Sequence, residues 1–183
     1  DHKLVSLQPK KLLVSSLFDS LSHAFESIWN IKSNQYTEII SIESIKIIIP
    51  ILQKIANNKS LRKIDYQDLC LATFMSGKAI SVTETAICHS MSYPITMKYK
   101  LNHGLTVGYL LAAVMKFNVN FVDKKLKIIC NFLGISNTKE LIKLISNLFR
   151  DTGGLNIIRK KINLDKELLL IKNFMNTPER AKN

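Results

Sequence analysis

Apolar residues recur along most of this chain three and four positions apart, the spacing that lines one face of an α-helix. The clearest run consists of Phe18, Leu21, Phe25 and Ile28. Ser15 or Ser16 stands just before this run and is the predicted N-cap, because a serine hydroxyl accepts a hydrogen bond from the first helical turn. Only residues 3–9 are expected to be extended. The pattern predicts an all-α protein, built as a multi-helix bundle.

End signals divide the rest of the chain into further helices. Pro50 and Pro94 are each expected to bend or disturb a helix, because proline lacks an N–H and crowds the preceding turn. Gly134 is a predicted C-cap, and Gly153 with Gly154 separates two helices. The predicted helices are residues 36–57, 66–82 with Asp65 as N-cap, one that starts at Thr83 or Thr85 and carries Cys88 and His89, 104–117, 123–133, 139–149 capped by Ser136 or Asn137, and 165–173.

Composition is that of one domain with an ample core, since 46% of the 183 residues are hydrophobic. We expect residues 1–183 to form a single helical domain, with residues 1–14 as a short lead-in segment. Cys70, Cys88 and Cys130 lack CxxC spacing and are expected to be reduced thiols of a cytoplasmic protein. No uninterrupted apolar stretch approaches the roughly 18–20 residues of a membrane span, so a membrane partner is not expected.

The charge balance is strongly basic, with 26 Lys and Arg against 14 Asp and Glu and a net charge of +12. These basic residues are scattered through apolar-periodic segments and are not interleaved with aromatic residues. A lysine-rich, solvated surface is therefore favoured over a nucleic-acid interface. A basic, helical nucleic-acid-binding protein stays open as an alternative.

Three of the four histidines, together with one aspartate, form a pattern typical of a metal site. Asp19 and His23 are four residues apart, so both lie on one face of the first predicted helix. A carboxylate and an imidazole placed in this way can bind one divalent cation. His89 and His103, from a later segment, would complete a set of four ligands. One aspartate and three histidines suit a metal such as Fe²⁺ or Zn²⁺.

Four segments of the chain resemble segments of the iron-containing (group III) alcohol dehydrogenases, in the same order. They are DHKLVSLQP, DSLSHAFESIW, ICHSMSYPITMKYKLNHGLTVGYLLAAVMKFN and NTPERAKN. The second is similar to that family's DALTHAIE-type motif, and the third to its signature with an H-x₁₃-H pair followed by glycine. The first resembles a D-P-x-L-x-x-x-P segment. The last resembles an R-x-x-N-N-P tail, cut short at its end. The resemblance spans nearly the whole chain.

This resemblance implies a fold like the C-terminal domain of dehydroquinate synthase, with Asp19, His23, His89 and His103 as ligands of Fe²⁺ or Zn²⁺. It also implies NAD(P)-dependent interconversion of an alcohol with an aldehyde or ketone. The SYP sequence resembles a subset of the family that reduces phosphonoacetaldehyde. A homodimer is compatible with the resemblance.

Two departures from the family pattern bear on function. Many members have a further histidine four residues after the third ligand, where this chain has Tyr93. Tyr93 could relay a proton, as that histidine does, or only shape the pocket. Nothing resembles the glycine-rich loop of the family's N-terminal α/β dinucleotide-binding domain. We therefore expect a C-terminal half, inactive by itself, whose partner is that missing domain. A non-catalytic helical partner without metal is the alternative.

Overall fold

The computed structural model describes residues 1–162, and every regular element in that range is an α-helix. The predicted all-α class is therefore confirmed. The predicted helix at 165–173 and the NTPERAKN segment lie outside the described residues. The helices are α1 (His2–Ser6), α2 (Lys10–Trp29), α3 (Gln35–Ala56), α4 (Lys63–Thr83), α5 (Ile87–Tyr99), α6 (His103–Leu133), α7 (Thr138–Asp151) and α8 (Gly154–Arg159).

Helix α2 is the centre of the bundle, with α3, α4 and α6 packed around it. Its apolar residues Phe18, Leu21 and Phe25 are completely buried. Burial of one large apolar side chain contributes about 1.5–3 kcal/mol to stability. Helix α2 is consequently fixed on several sides, and polar residues between these apolar positions are held in place with it.

The N-terminal predictions were wrong in two respects. Most of residues 3–9 are not extended, because residues 3–6 belong to α1, where the Asp1 carboxylate accepts the N–H of Lys3. Helix α2 begins at Lys10 and not at Ser15 or Ser16. The carbonyl of Pro9 accepts the first helical hydrogen bonds, and Ser15 is buried within the helix. Leu13 and Val14 pack in the core, so the helix starts on the N-terminal side of the serines that had indicated its start.

Several other boundaries also differ from the predicted ones. Helix α3 runs through Pro50 and agrees with the predicted 36–57, whereas α5 continues past Pro94 to Tyr99, since the apolar residues around each proline are packed in the core. Asp65 is not the N-cap of α4 but its third residue, and its carboxylate accepts the N–H of the N-cap Arg62 at 2.8 Å. Thr83 ends α4 instead of starting the next helix.

The two predicted helices at 104–117 and 123–133 are one continuous helix, α6, of 31 residues. No glycine or proline interrupts residues 118–122, and the Asp123 carboxylate accepts from the hydroxyl of Thr138 instead of capping. Within the described part of the chain, α6 is long and apolar enough to cross a membrane by length and composition alone, as core helices of soluble proteins also are. The expectation concerned uninterrupted apolar stretches, and Lys116, Asn118 and Asn120 interrupt this one.

Three predicted end signals are confirmed. Gly134 ends α6 in a left-handed conformation with φ of 65°. Asn137 caps α7 by accepting the N–H of Glu140 at 3.0 Å. Gly153, with φ of 91°, separates α7 from α8. Left-handed backbone is favourable at glycine because it has no β-carbon.

Candidate metal centre

Helix α2 carries the first two candidate ligands, Asp19 and His23. Nε2 of His23 lies 4.0 Å from Oδ1 of Asp19, as the i, i+4 spacing predicts. Both side chains are partly exposed, at 30% for Asp19 and 23% for His23. One face of α2 therefore holds a carboxylate and an imidazole side by side, both partly accessible to solvent.

The structure brings His89 and His103 to the same carboxylate. Nε2 of His89 is 3.5 Å from Oδ1 of Asp19, and Nε2 of His103 is 3.6 Å from it. The donor atoms of these three residues all lie within 4.8 Å of one another. His23 is beside this group, with its ring stacked on that of His89 at a centroid distance of 4.7 Å. The three predicted histidine ligands thus surround Asp19, with His23 beside the closest group of donor atoms and not within it.

The unpaired atoms at this point fit a divalent cation. Oδ1 of Asp19 and Nε2 of His89 are both buried and have no hydrogen-bond partner. Leaving buried polar atoms unpaired costs about 1–3 kcal/mol each, and coordination of one cation would satisfy both. Nitrogen and oxygen donors of this kind suit Fe²⁺ or Zn²⁺.

The protonation states also favour coordination at two of the imidazoles. Burial lowers the pKa of His23 and of His103 below the ordinary histidine value, although Asp19 opposes the change. Neutral imidazoles are the form that binds metal. For Asp19, burial raises the pKa, but the neighbouring His89 and the charges of the other histidines outweigh it and keep the pKa below its usual range.

His89 behaves differently because two carboxylates flank it. Burial lowers its pKa, but the contacts with Asp19 and Glu26 outweigh burial and raise the pKa to about 9. Nδ1 of His89 is 2.6 Å from Oε2 of Glu26, which is wholly buried. Sequence reasoning missed Glu26. Its position seven residues after Asp19, on the same helix face, was the available signal.

Tyr93, the candidate for proton transfer, lies against a proposed ligand. Its ring stacks on that of His103 at a centroid distance of 5.4 Å and an interplanar angle of 10°. Tyr93 is one helical turn after His89 on α5. The structure thus places this side chain beside the candidate metal centre, in a position from which it supports His103.

Residues 13–168 match the family model described as Fe-containing alcohol dehydrogenase family, C-terminal. The chain belongs to this family. The matched region contains all four candidate ligands, Glu26 and Tyr93. The resemblance inferred from the motifs is therefore confirmed.

Among similar proteins, the NADPH-dependent butanol dehydrogenase of Clostridium saccharobutylicum is 28% identical over 154 residues, covering 82% of this chain and 39% of the relative. The phosphonoacetaldehyde reductase of Streptomyces viridochromogenes is 24% identical over 111 residues, 60% of this chain and 27% of the relative. The solved sulfoacetaldehyde reductase from Bifidobacterium kashiwanohense, in complex with NAD⁺, has a TM-score of 0.80 at 20% identity. The structural match covers 100% of this chain and 48% of the reductase, and it shows a shared fold. The chain thus spans less than half the length of these proteins.

Proposed function

We propose that this chain is the metal-binding half of an NAD(P)-dependent alcohol dehydrogenase that interconverts an alcohol with an aldehyde or ketone. The observation that carries the proposal is the convergence of Asp19, His89 and His103, with donor atoms within 4.8 Å of one another. His23 stacks beside them as the fourth ligand. Family membership supports this interpretation over a nucleic-acid-binding helical protein.

In this proposal, Asp19, His23, His89 and His103 hold Fe²⁺ or Zn²⁺. The metal, when bound, polarises the substrate oxygen as a Lewis acid, and the nicotinamide carries the hydride. Asp19 supplies the negative charge that offsets the cation. The stacked rings of His23 and Tyr93 fix the orientations of His89 and His103.

We also propose that the nicotinamide is held by a dinucleotide-binding domain outside these 183 residues. The relatives are more than twice as long as the part of them that this chain covers. Hydride transfer requires the nicotinamide to be oriented against the substrate carbon. By itself the chain should bind metal and show no NAD(P)-dependent turnover.

A small anionic aldehyde such as phosphonoacetaldehyde is a specific candidate substrate. Two of the similar proteins are named for aldehydes that carry a phosphonate or a sulfonate. The net charge of +12 would favour the approach of such an anion. The test is to measure KM for the anionic aldehyde and for a neutral aldehyde of similar size, each at low and at high salt. Screening should raise the KM only for the anion.

Two measurements test the main proposal. Purified chain loaded with Fe²⁺ or Zn²⁺ should retain about one metal ion per chain after desalting, by elemental analysis. Joined to a dinucleotide-binding domain of this family, the loaded chain should reduce an aldehyde with NADH or NADPH. A chain that retains no metal would support the alternative of a non-catalytic helical partner and would contradict the proposal.

A further inference from the structure

Glu26 is a wholly buried carboxylate on α2, and both of its oxygens have hydrogen-bond partners. Oε2 lies 2.6 Å from Nδ1 of His89 and accepts the N–H of Ala86 at 3.0 Å. Oε1 accepts the N–H of Cys88 and, at 3.4 Å, that of His89. Burying a carboxylate is costly unless such partners compensate it. These contacts compensate the buried carboxylate, and all of them are to His89 or to the backbone just before it.

We propose that Glu26 is a positioning residue that keeps a proton on Nδ1 of His89 and so presents the lone pair of Nε2 to the metal. This inference rests on the proposed function. An ionised carboxylate can only accept hydrogen bonds, so Nδ1 must be the donor. Metal binding displaces the proton from Nε2 and leaves the imidazole neutral with its remaining proton on Nδ1, so Nε2 is the coordinating nitrogen. Nε2 of His89 is the atom that faces Asp19, at 3.5 Å.

Glu26 also fixes the backbone that carries His89. The N-cap of α5, Ala86, offers no side-chain hydrogen bond to the first turn. The Glu26 carboxylate from α2 accepts N–H groups there instead, and a negative charge is favourable at a helix N-terminus. The same side chain thus sets the position of the helix and the orientation of the ring. Glu26 lies on α2 with Asp19 and His23. The position of His89 is therefore fixed relative to the two candidate ligands on α2.

The test is Glu26→Gln, which keeps the size of the side chain but replaces an acceptor by an N–H donor. The amide oxygen should face the backbone N–H groups of Cys88 and His89, which cannot become acceptors. The NH₂ then faces Nδ1, makes that nitrogen the acceptor and moves the ring proton to Nε2, where it blocks the metal. The affinity for Zn²⁺, measured by competition with a chromogenic chelator, should fall by about 10–100-fold, the usual effect of removing a partner of a metal-bound histidine. The chain used is the full 183 residues.

A second readout does not depend on metal. In ¹⁵N-histidine NMR spectra of the metal-free wild-type chain, Nδ1 of His89 should carry a hydrogen-bonded proton. This Nδ1–H signal should be lost in Glu26→Gln. The matched control is Asp65→Asn, since Asp65 is also a buried acid that accepts a backbone N–H near a helix start, on α4 away from the site. Asp65→Asn should lower stability but leave Zn²⁺ affinity and the His89 spectrum unchanged.

The outcomes separate this inference from the proposed function. Wild-type Zn²⁺ affinity in Glu26→Gln, or an equal loss in Asp65→Asn, would overturn the positioning role while leaving the metal site in place. A wild-type chain that binds no Zn²⁺ would overturn the proposed function, and the Nδ1–H signal would still decide the role of Glu26. Should Glu26→Gln not fold, the wild-type spectrum alone is decisive: an unprotonated Nδ1 on His89 overturns the inference.

Discussion

The backbones of Gly104 on α6 and Ser15 on α2 are in direct contact. A β-carbon added to Gly104 would lie 2.0 Å from the carbonyl oxygen of Ser15 and 2.9 Å from Cβ of Asp19. A β-carbon added to Gly108, about one turn later, would lie 2.6 Å from Cβ of Phe18. This close approach of two helices sets the distance between His103, which begins α6, and Asp19 on α2.

Gly104→Ala should therefore destabilise the protein and weaken metal binding together. Overpacking of this kind costs about 1–3 kcal/mol, and here the neighbour is backbone that cannot rotate away. Gly77→Ala is the matched control, because nothing lies within 4 Å of the added β-carbon in α4. That change should be stabilising by about 0.4–1 kcal/mol. Urea unfolding of the two variants beside wild type measures the stabilities, and competition with a chelator measures the affinity for Zn²⁺. Equal stabilities would contradict the contact.

His89→Ala should abolish retention of Zn²⁺ or Fe²⁺. Changes to residues that only support a ligand reduce metal affinity about 10–100-fold, so loss of a ligand itself should exceed about 100-fold. His2→Ala is the control, since His2 is the remaining histidine and contacts Asp1 on the N-terminal helix. Metal content by elemental analysis and affinity by chelator competition provide the measurement. Similar losses in both variants would argue against the assigned ligands.

Tyr93→Phe should leave metal affinity unchanged, because the phenyl ring can keep the stacking on His103. Tyr93→Ala should weaken metal binding, because that support is removed. Joined to a dinucleotide-binding domain, Tyr93→Phe should keep most of its activity if Tyr93 shapes the pocket, as we expect. A loss of kcat of about 100-fold or more in Tyr93→Phe, with an altered pH profile, would instead identify the phenol as a proton relay.

Stability should fall in acid partly through Asp65. Burial raises the pKa of Asp65, but hydrogen bonds from Lys54 at 2.6 Å and the Arg62 N–H at 2.8 Å outweigh it and lower the pKa. A group with a lowered folded-state pKa stabilises the protein above its unfolded pKa of about 3.9. That contribution disappears as pH falls through the folded-state value.

Asp65→Asn should consequently destabilise the protein by about 1–3 kcal/mol at pH 7, because Lys54 loses its partner. The difference from wild type should shrink below pH of about 4. Denaturant unfolding at several pH values measures this dependence, with Asp68→Asn, on the same helix, as a comparison. A wild-type advantage that is constant down to pH 2 would contradict the assignment.

Local signals in the sequence determined the helices and half of the site. Periodic apolar residues and the caps at Gly134 and Asn137 act over a few residues, so they could be recognised without a structure. The pairing of Asp19 with His23 is equally local, because i and i+4 always share a helix face. His89 and His103 were candidates by residue type and by family resemblance, since no local spacing brings them to Asp19.

Tertiary structure alone decided the contacts between distant segments. Glu26 and His89 are 63 residues apart, and neither spacing nor composition states which nitrogen a buried carboxylate will face. The same holds for Gly104 against Ser15, and for the start of α2 at Lys10 before the serines. At the start of α2, packing outweighed the local preference, because burial of apolar residues contributes more free energy than a single cap.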